Sequence, residues 1–175
     1  MHMIACLKLV ADPDIVTFDV VKNELTALYP VMDPIGYHVL EAGLQLREAN
    51  GGRLTAVCLG DATAEAILHY ALHQGADAAI RFSPGGPAET DTWARARAIA
   101  KGLSSTSYDL ILTGAASAGG LRRTVPQAIA GATRGKQVAG LLPGSRRVIT
   151  TAGRASKANP ATSEQELQGL RDATA

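Results

Sequence analysis

The strongest constraint on this chain is a rhythm of short apolar runs, each followed by a segment of helix length. Met3 to Val10 (MIACLKLV) is closed by Asp12-Pro13 and reads as a buried first strand. Residues 15–29 alternate loosely around Lys22-Asn23-Glu24 and read as a small hairpin. Asp33 then has the chemistry of a helix cap, with Pro34 at the first helical position. From there Ile35, Val39, Leu40, Gly43 and Leu46 recur at helical spacing, up to the stop signal Asn50-Gly51-Gly52. Arg53 to Leu59 (RLTAVCL) is a second strand, and Asp61 caps a second helix that Gly75 ends. Ala78 to Phe82 is a third strand, and a helix follows from Glu89 to Leu103. Leu110 to Thr113 is a fourth strand running into Gly114.

Strands that alternate with helices imply βαβ units. The expected fold is therefore α/β, a parallel sheet with helices on both faces. Ligands of such sheets bind beyond the carboxyl ends of the strands. That rule directs attention to Ala11 to Asp14, Gly60-Asp61, Ser83 to Ala88 and Gly114 to Thr124. After Gly131 the pattern weakens. Val148 to Thr151 reads as a fifth strand, and Ser163 to Arg171 as a short final helix within a polar tail. The expected organisation is one domain over residues 1–150 and a tail over residues 151–175.

Composition excludes several classes. At 175 residues the chain is one domain of ordinary size, and such a domain buries about 70% of its unfolded surface. Apolar residues make up 46% and charged residues 19%, a globular balance. The formal net charge of +1 gives no electrostatic reason to expect nucleic acid or an acidic membrane. No apolar run reaches the length of a membrane span. The start lacks a signal peptide's features, and Met1-His2 reads as an addition ahead of a start at Met3. Cys6 and Cys58 both lie in apolar strand runs, which points to reduced core thiols and a cytoplasmic location.

Three residue groups carry possible chemistry. His69 and His73 lie four apart on one helix face, a spacing that can share a metal, but no third ligand is near in sequence; a solvated face is the simpler reading. Asp12 and Asp14 follow the first strand, where a carboxylate can touch a ligand or merely form a turn. The segment from Gly114 to Gln127 is the richest. Small residues there let backbone approach an anion, Thr124 and Gln127 have capping-box spacing, and Arg122 and Arg123 add forked donors. A phosphate site and a solvated surface loop both remain open on these grounds. No Walker A, G-x-S-x-G or C-x-x-C sequence occurs.

Ala71-Leu72-His73-Gln74-Gly75-Ala76-Asp77-Ala78-Ala79-Ile80 resembles the A-L-x-x-G-A-D-x-A-I of the electron transfer flavoprotein beta subunit family. Met3 to Val10 with Lys8 is similar to that family's first strand, and Asp33 to Ala42 to its N-P-x-D-x-x-A-L-E-x-A. Asp91 to Ala100 and Tyr108 to Gly114 also match in order and spacing. The resemblance covers about residues 3–131. It implies an adenine-nucleotide-binding α/β fold of the HUP-like type. It implies a subunit that turns over no substrate itself, pairs with an alpha-type subunit, and carries electrons from dehydrogenases to a quinone reductase or another acceptor. It implies AMP as a structural ligand and FAD only in company with the alpha subunit; expressed alone, the chain would be a homodimer or an unstable monomer. By position, the nucleotide contacts implied are Cys6, Asp33, Pro34, Gly36, Leu59, Gly119, Gly120, Arg122, Arg123 and Thr124.

Two departures accompany the resemblance. Where the family reads approximately D-x-D-T-G-Q-V-G, this chain reads Gly119-Gly120-Leu121-Arg122-Arg123-Thr124-Val125-Pro126, and Pro126 has no N–H to offer a phosphate. Beyond about Gly140 no match is found. A stand-alone adenine-nucleotide-binding module, or an eroded paralogue without electron transfer, is the alternative. A hydrolase of the same fold class is disfavoured, because Leu9 to Asp14 lacks an S-G-G-x-D-S-like loop.

Overall fold

The computed structural model describes residues 1–12, 15–21, 23–27, 30–83, 92–114, 124–133, 137–141 and 148–151. The first strand, β1, runs His2–Leu7 and stops at Lys8. The single strand expected to Val10 is thus two: β2 (Leu9–Ala11) leaves the main sheet and pairs antiparallel with β5 (Pro30–Met32). Between them β3 (Val16–Asp19) and β4 (Glu24–Ala27) form the expected hairpin. An apolar run does not reveal where a strand changes partners, because both halves satisfy the same pattern.

The helix α1 (Pro34–Asn50) has the expected bounds. Asp33 caps it, its carboxylate accepting from the Ile35 N–H, and the Gly51 N–H closes the far end on the Arg47 carbonyl. β6 (Arg53–Leu59) follows. Asp61 caps a 3-10 turn, Ala62–Ala64, and the α-helix α2 begins only at Glu65 and ends at His73. β7 (Ala78–Phe82) and β8 (Leu110–Gly114) are as expected. Between them α3 spans Thr92–Gly102; the expected start at Glu89 lies outside the described residues. α4 (Thr124–Ala132) follows β8. Then come β9 (Gln137–Leu141), which periodicity did not reveal, and β10 (Val148–Thr151).

The main sheet has the order β10-β9-β8-β1-β6-β7. β9, β8, β1, β6 and β7 are mutually parallel, whereas β10 returns antiparallel at one edge. The expectation of a parallel sheet therefore holds for five strands and fails at the sixth. The fifth strand expected at residues 148–151 is real, but it belongs to a β9–β10 return rather than to a βα unit.

Alternate residues of each strand face opposite layers. Met3, Ala5 and Leu7, with Leu54, Ala56 and Cys58, join Val39, Leu40, Ile67, Leu68 and Ala71 of α1 and α2 in one core. Ile4, Val57 and Ile111 join Ala96, Leu103, Ala128 and Ile129 on the α3 and α4 side in the other. Gly43 sets how closely α1 approaches the sheet: a Cβ there would stand 2.7 Å from Leu54 Cδ1 and 3.3 Å from Leu112 Cδ1.

His2 opens β1 and is bound in place. Its N–H donates to Asp109 Oδ2 at 2.7 Å, Nδ1 lies 2.6 Å from the Ser107 carbonyl, and Nε2 lies 2.9 Å from Thr55 Oγ1. His2 is thus hydrogen-bonded into the first strand and its neighbours. Residues 152–175, with the expected final helix, lie outside the described residues.

Candidate functional site

From β1 the chain builds outward twice, through β6 to β7 on one side and through β8 to β9 on the other. The order reverses between β1 and β8, so their carboxyl ends form a topological switch point where α/β sheets take ligands. Strand ends Leu7, Leu59, Phe82 and Gly114 share this edge with the starts of α1 and α4. Among the residues expected to contact a nucleotide, Cys6, Asp33, Pro34, Gly36, Leu59 and Thr124 fall at or near it. Gly119, Gly120, Arg122 and Arg123 lie outside the described residues, as does Asp14.

Cys6 sits one residue before the end of β1, with Val57 of β6 and Thr113 of β8 as its register partners. Burial pushes its thiol up to about 12, with Cys58 adding to the shift. Burial likewise raises Cys58 to about 11, against the smaller opposing effects of a hydrogen bond from the Leu9 backbone and the charge of Arg95. Both cysteines are free. A thiol held protonated is a poor nucleophile at neutral pH.

Asp33 is 1% exposed at the point where β5 turns into α1. Its N–H donates to the Lys8 carbonyl at 2.9 Å, its carboxylate accepts from the Ile35 N–H at 3.3 Å, and its carbonyl accepts from the Gly36 N–H at 2.6 Å. Pro34 has no N–H. The opening turn of α1 thus spends the donors of Ile35 and Gly36 on Asp33 itself, leaving little with which to hold a phosphate. Gly36 has a packing reason, since a Cβ there would meet Met32 Cγ at 2.8 Å. Asp33 to Gly36 therefore form a closed capping turn packed on Met32.

Leu59 closes β6, paired with Phe82. The Gly60 N–H then donates to the Phe82 carbonyl at 3.0 Å. Arg81 beside it donates to the Gly60 carbonyl at 3.3 Å and pairs with Glu65 at 3.2 Å, so its cation is occupied. Across the switch point, α4 begins at Thr124 itself, which places Thr124 inside the first turn instead of before it. Pro126 is tolerated there because first-turn N–H groups have no intrahelical partner.

The residue reading missed two cations. Lys8 is half-buried immediately after β1, and its pKa is lowered first by burial, then by the nearby charge of Arg95, with Asp33 acting in the opposite direction. Arg95 comes from α3, far away in sequence. The legible signal was Lys8 itself, a cation inside an apolar run at a strand end. His73 Nδ1 lies 2.7 Å from the His69 carbonyl, both residues are exposed, and among the described residues no group of three or more metal-ligating side chains occurs.

Among the described residues, this edge brings together the ends of β1, β6 and β8, the capped start of α1 and the half-buried Lys8. Residues 29–142 match the electron transfer flavoprotein domain. The chain is 31% identical over 116 residues to the electron transfer flavoprotein subunit beta of Thermoanaerobacterium thermosaccharolyticum, covering 65% of this chain and 45% of that protein. It is 33% identical over 121 residues to protein FixA of Azorhizobium caulinodans, covering 65% and 43%. It is 35% identical over 121 residues to protein FixA of Sinorhizobium fredii, covering 65% and 42%. The chain therefore spans less than half the length of these relatives. No described helix is long and apolar enough to cross a membrane. A domain match across most of the ordered sheet, together with the strand order that places its ligand edge, assigns the chain to the electron transfer flavoprotein family.

Proposed function

We propose that this chain is the beta-type half of an electron transfer flavoprotein. In this reading it pairs with an alpha-type subunit that supplies most FAD contacts, and it holds AMP as a structural ligand at the switch point between β1 and β8. The observation that carries the reading is the switch-point edge itself, where, among the described residues, the first donors of α1 are spent on Asp33 and the Arg81 cation is tied to Glu65. Such an edge suits a ligand that is held and not turned over. Electrons would reach the shared flavin from dehydrogenases and leave to a quinone reductase or another acceptor, in a cytoplasmic setting. The chain alone would hold no flavin, because aromatic residues are only 4% and offer few surfaces on which an isoalloxazine can stack.

Co-expression with an alpha-type subunit tests this. The expected result is a yellow complex that survives gel filtration, with AMP released on denaturation and identified by mass spectrometry. A colourless mixture that elutes as two separate proteins overturns it. AMP recovered from the isolated chain, with no complex formed, would favour a stand-alone nucleotide-binding module. The Asp33-capped turn beside a half-buried Lys8 is what supports that second reading.

A further inference from the structure

We propose that the groove between α1 and α2 is a docking surface for an arginine side chain carried by a protein partner. A cavity of about 250 Å³ opens there, and its walls include Tyr37, His38, Glu41 and Tyr70. The groove lies between the two helices, and none of its lining residues is among those expected to contact a nucleotide.

The chain has four tyrosines, and two of them stand side by side at the surface. Tyr37 and Tyr70 are 46% and 39% exposed, unlike Tyr108, which is buried. Their ring centroids are 5.6 Å apart and the planes meet at 84°. In a right-angled pair one ring's edge meets one face of the other, so most of the π surface is left for a guest. Such faces attract cations. Glu41 stands one helical turn beyond Tyr37, on the same face of α1. Its Oε1 accepts from Gln45 Nε2 at 2.7 Å, and among the described residues no cation pairs with it. Two aromatic walls and an unneutralised carboxylate are the chemistry that receives a cation.

Size and shape choose among cations. A free ligand is usually enclosed in a pocket of about 300–1,000 Å³. This groove is smaller, and its tyrosines are close to half exposed, so it would enclose a free molecule poorly. A side chain delivered by a partner's surface needs no such enclosure. Guanidinium fits better than ammonium, being flat enough to stack on a ring while its fork meets a carboxylate.

The test is an NMR titration of the full chain at about pH 8, where an ordinary imidazole is neutral. The probes are N-acetyl-arginine amide, the uncharged isostere N-acetyl-citrulline amide, N-acetyl-lysine amide and tetramethylammonium. The expected result is saturable movement of the Tyr37 and Tyr70 ring signals by the arginine probe in the millimolar range. The lysine probe should bind several-fold more weakly and citrulline not measurably. Glu41→Gln should weaken the arginine probe by about five-fold or more, and Tyr37→Ala with Tyr70→Ala should abolish the effect. All three positions are exposed, and Tyr37→Phe with Tyr70→Phe, which keeps the rings, should retain binding. Equal response to citrulline and arginine, or an unchanged affinity in Glu41→Gln, overturns the proposal. Tetramethylammonium binding more tightly than the arginine probe also overturns it, by making the groove a small-cation site.

Discussion

The Asp33 N–H donates to the Lys8 carbonyl at 2.9 Å, and that bond fastens the start of α1 to the carboxyl end of β1. Residues 9–32, with their two small sheets, are looped out between the two. The tie therefore brings the cap of a helix to the strand it follows in the sheet, across a long insertion.

Asp33→Ala removes the cap of α1 and leaves the Ile35 N–H without its acceptor in a buried position. A lost cap costs about 1 kcal/mol, within a range of about 0.5–2. Urea unfolding followed by circular dichroism should show that loss, and Asp33→Asn, which keeps an acceptor oxygen, should lose less. Equal loss in both variants would mean that the charge matters and the cap does not.

Gly43→Val should destabilise by about 1–3 kcal/mol through overpacking, because the added Cβ would press on Leu54 Cδ1 at 2.7 Å. Leu54 is fully buried. In Gly43→Val with Leu54→Ala, the two changes should cost less than the sum of the singles, since the second opens the room the first requires. Chemical denaturation of all four proteins closes the cycle, and strict additivity would contradict the contact.

Asp77 receives the Leu54 N–H at 2.7 Å and pairs with Arg47 at 3.3 Å, and Arg47 also donates to the Gly75 carbonyl. The Leu54 bond is the chief reason its carboxyl titrates below the usual range, with Arg47 assisting. A depressed carboxyl stabilises the fold above the unfolded pKa, and that contribution is lost as pH falls through the folded one. Its side chain is 39% exposed, so solvent reduces the ion-pair part. Asp77→Asn should therefore flatten the acid limb of the stability curve below about pH 4. An unchanged limb in the variant would count against this assignment.

The two thiols act at the other end of the pH scale. Their folded values, about 12 for Cys6 and about 11 for Cys58, exceed the unfolded value of about 8.5. Stability from this source is complete below the unfolded pKa and falls as pH rises toward the folded values, because the unfolded chain releases protons first. Cys6→Ala with Cys58→Ala should soften the decline above about pH 9, although burial also raises Tyr108 and leaves part of it in place. In the native protein both thiols should react with a disulfide reagent at least about ten times more slowly than in urea. Fast native labelling would show that one of them is open to solvent.

The segment between β8 and α4 supplies the last prediction. If AMP binds, Arg122→Ala with Arg123→Ala should weaken it by about ten-fold or more, since charge-assisted bonds contribute about 1.5–3 kcal/mol. Adenosine, lacking phosphate, should bind both proteins alike. Titration calorimetry separates the cases, and equal AMP affinity for wild type and variant removes the two arginines from the site.

Much of this domain was legible in the chain itself. α1 has the bounds that Asp33, Pro34 and Asn50-Gly51 announce, and β6 and β7 coincide with their apolar runs. These are local matters, decided by capping, by side-chain period and by turn residues within a few positions. The ordered pieces around Gly75-Ala76-Asp77 also carried the family. Pairing was different. The break at Lys8 depends on which strand each half of the run meets, β6 and β8 for one and β5 for the other. The antiparallel β10 depends on a partner, β9, whose own residues show no period. Hydrogen bonds between strands leave no mark on the spacing of either strand, so only the assembled sheet decides them. The same holds for side chains brought together across the fold. Nothing in sequence joins Arg95 to Lys8, or Tyr37 to Tyr70; helices packed on a sheet bring them together, because burying apolar faces fixes where the polar residues between them must stand.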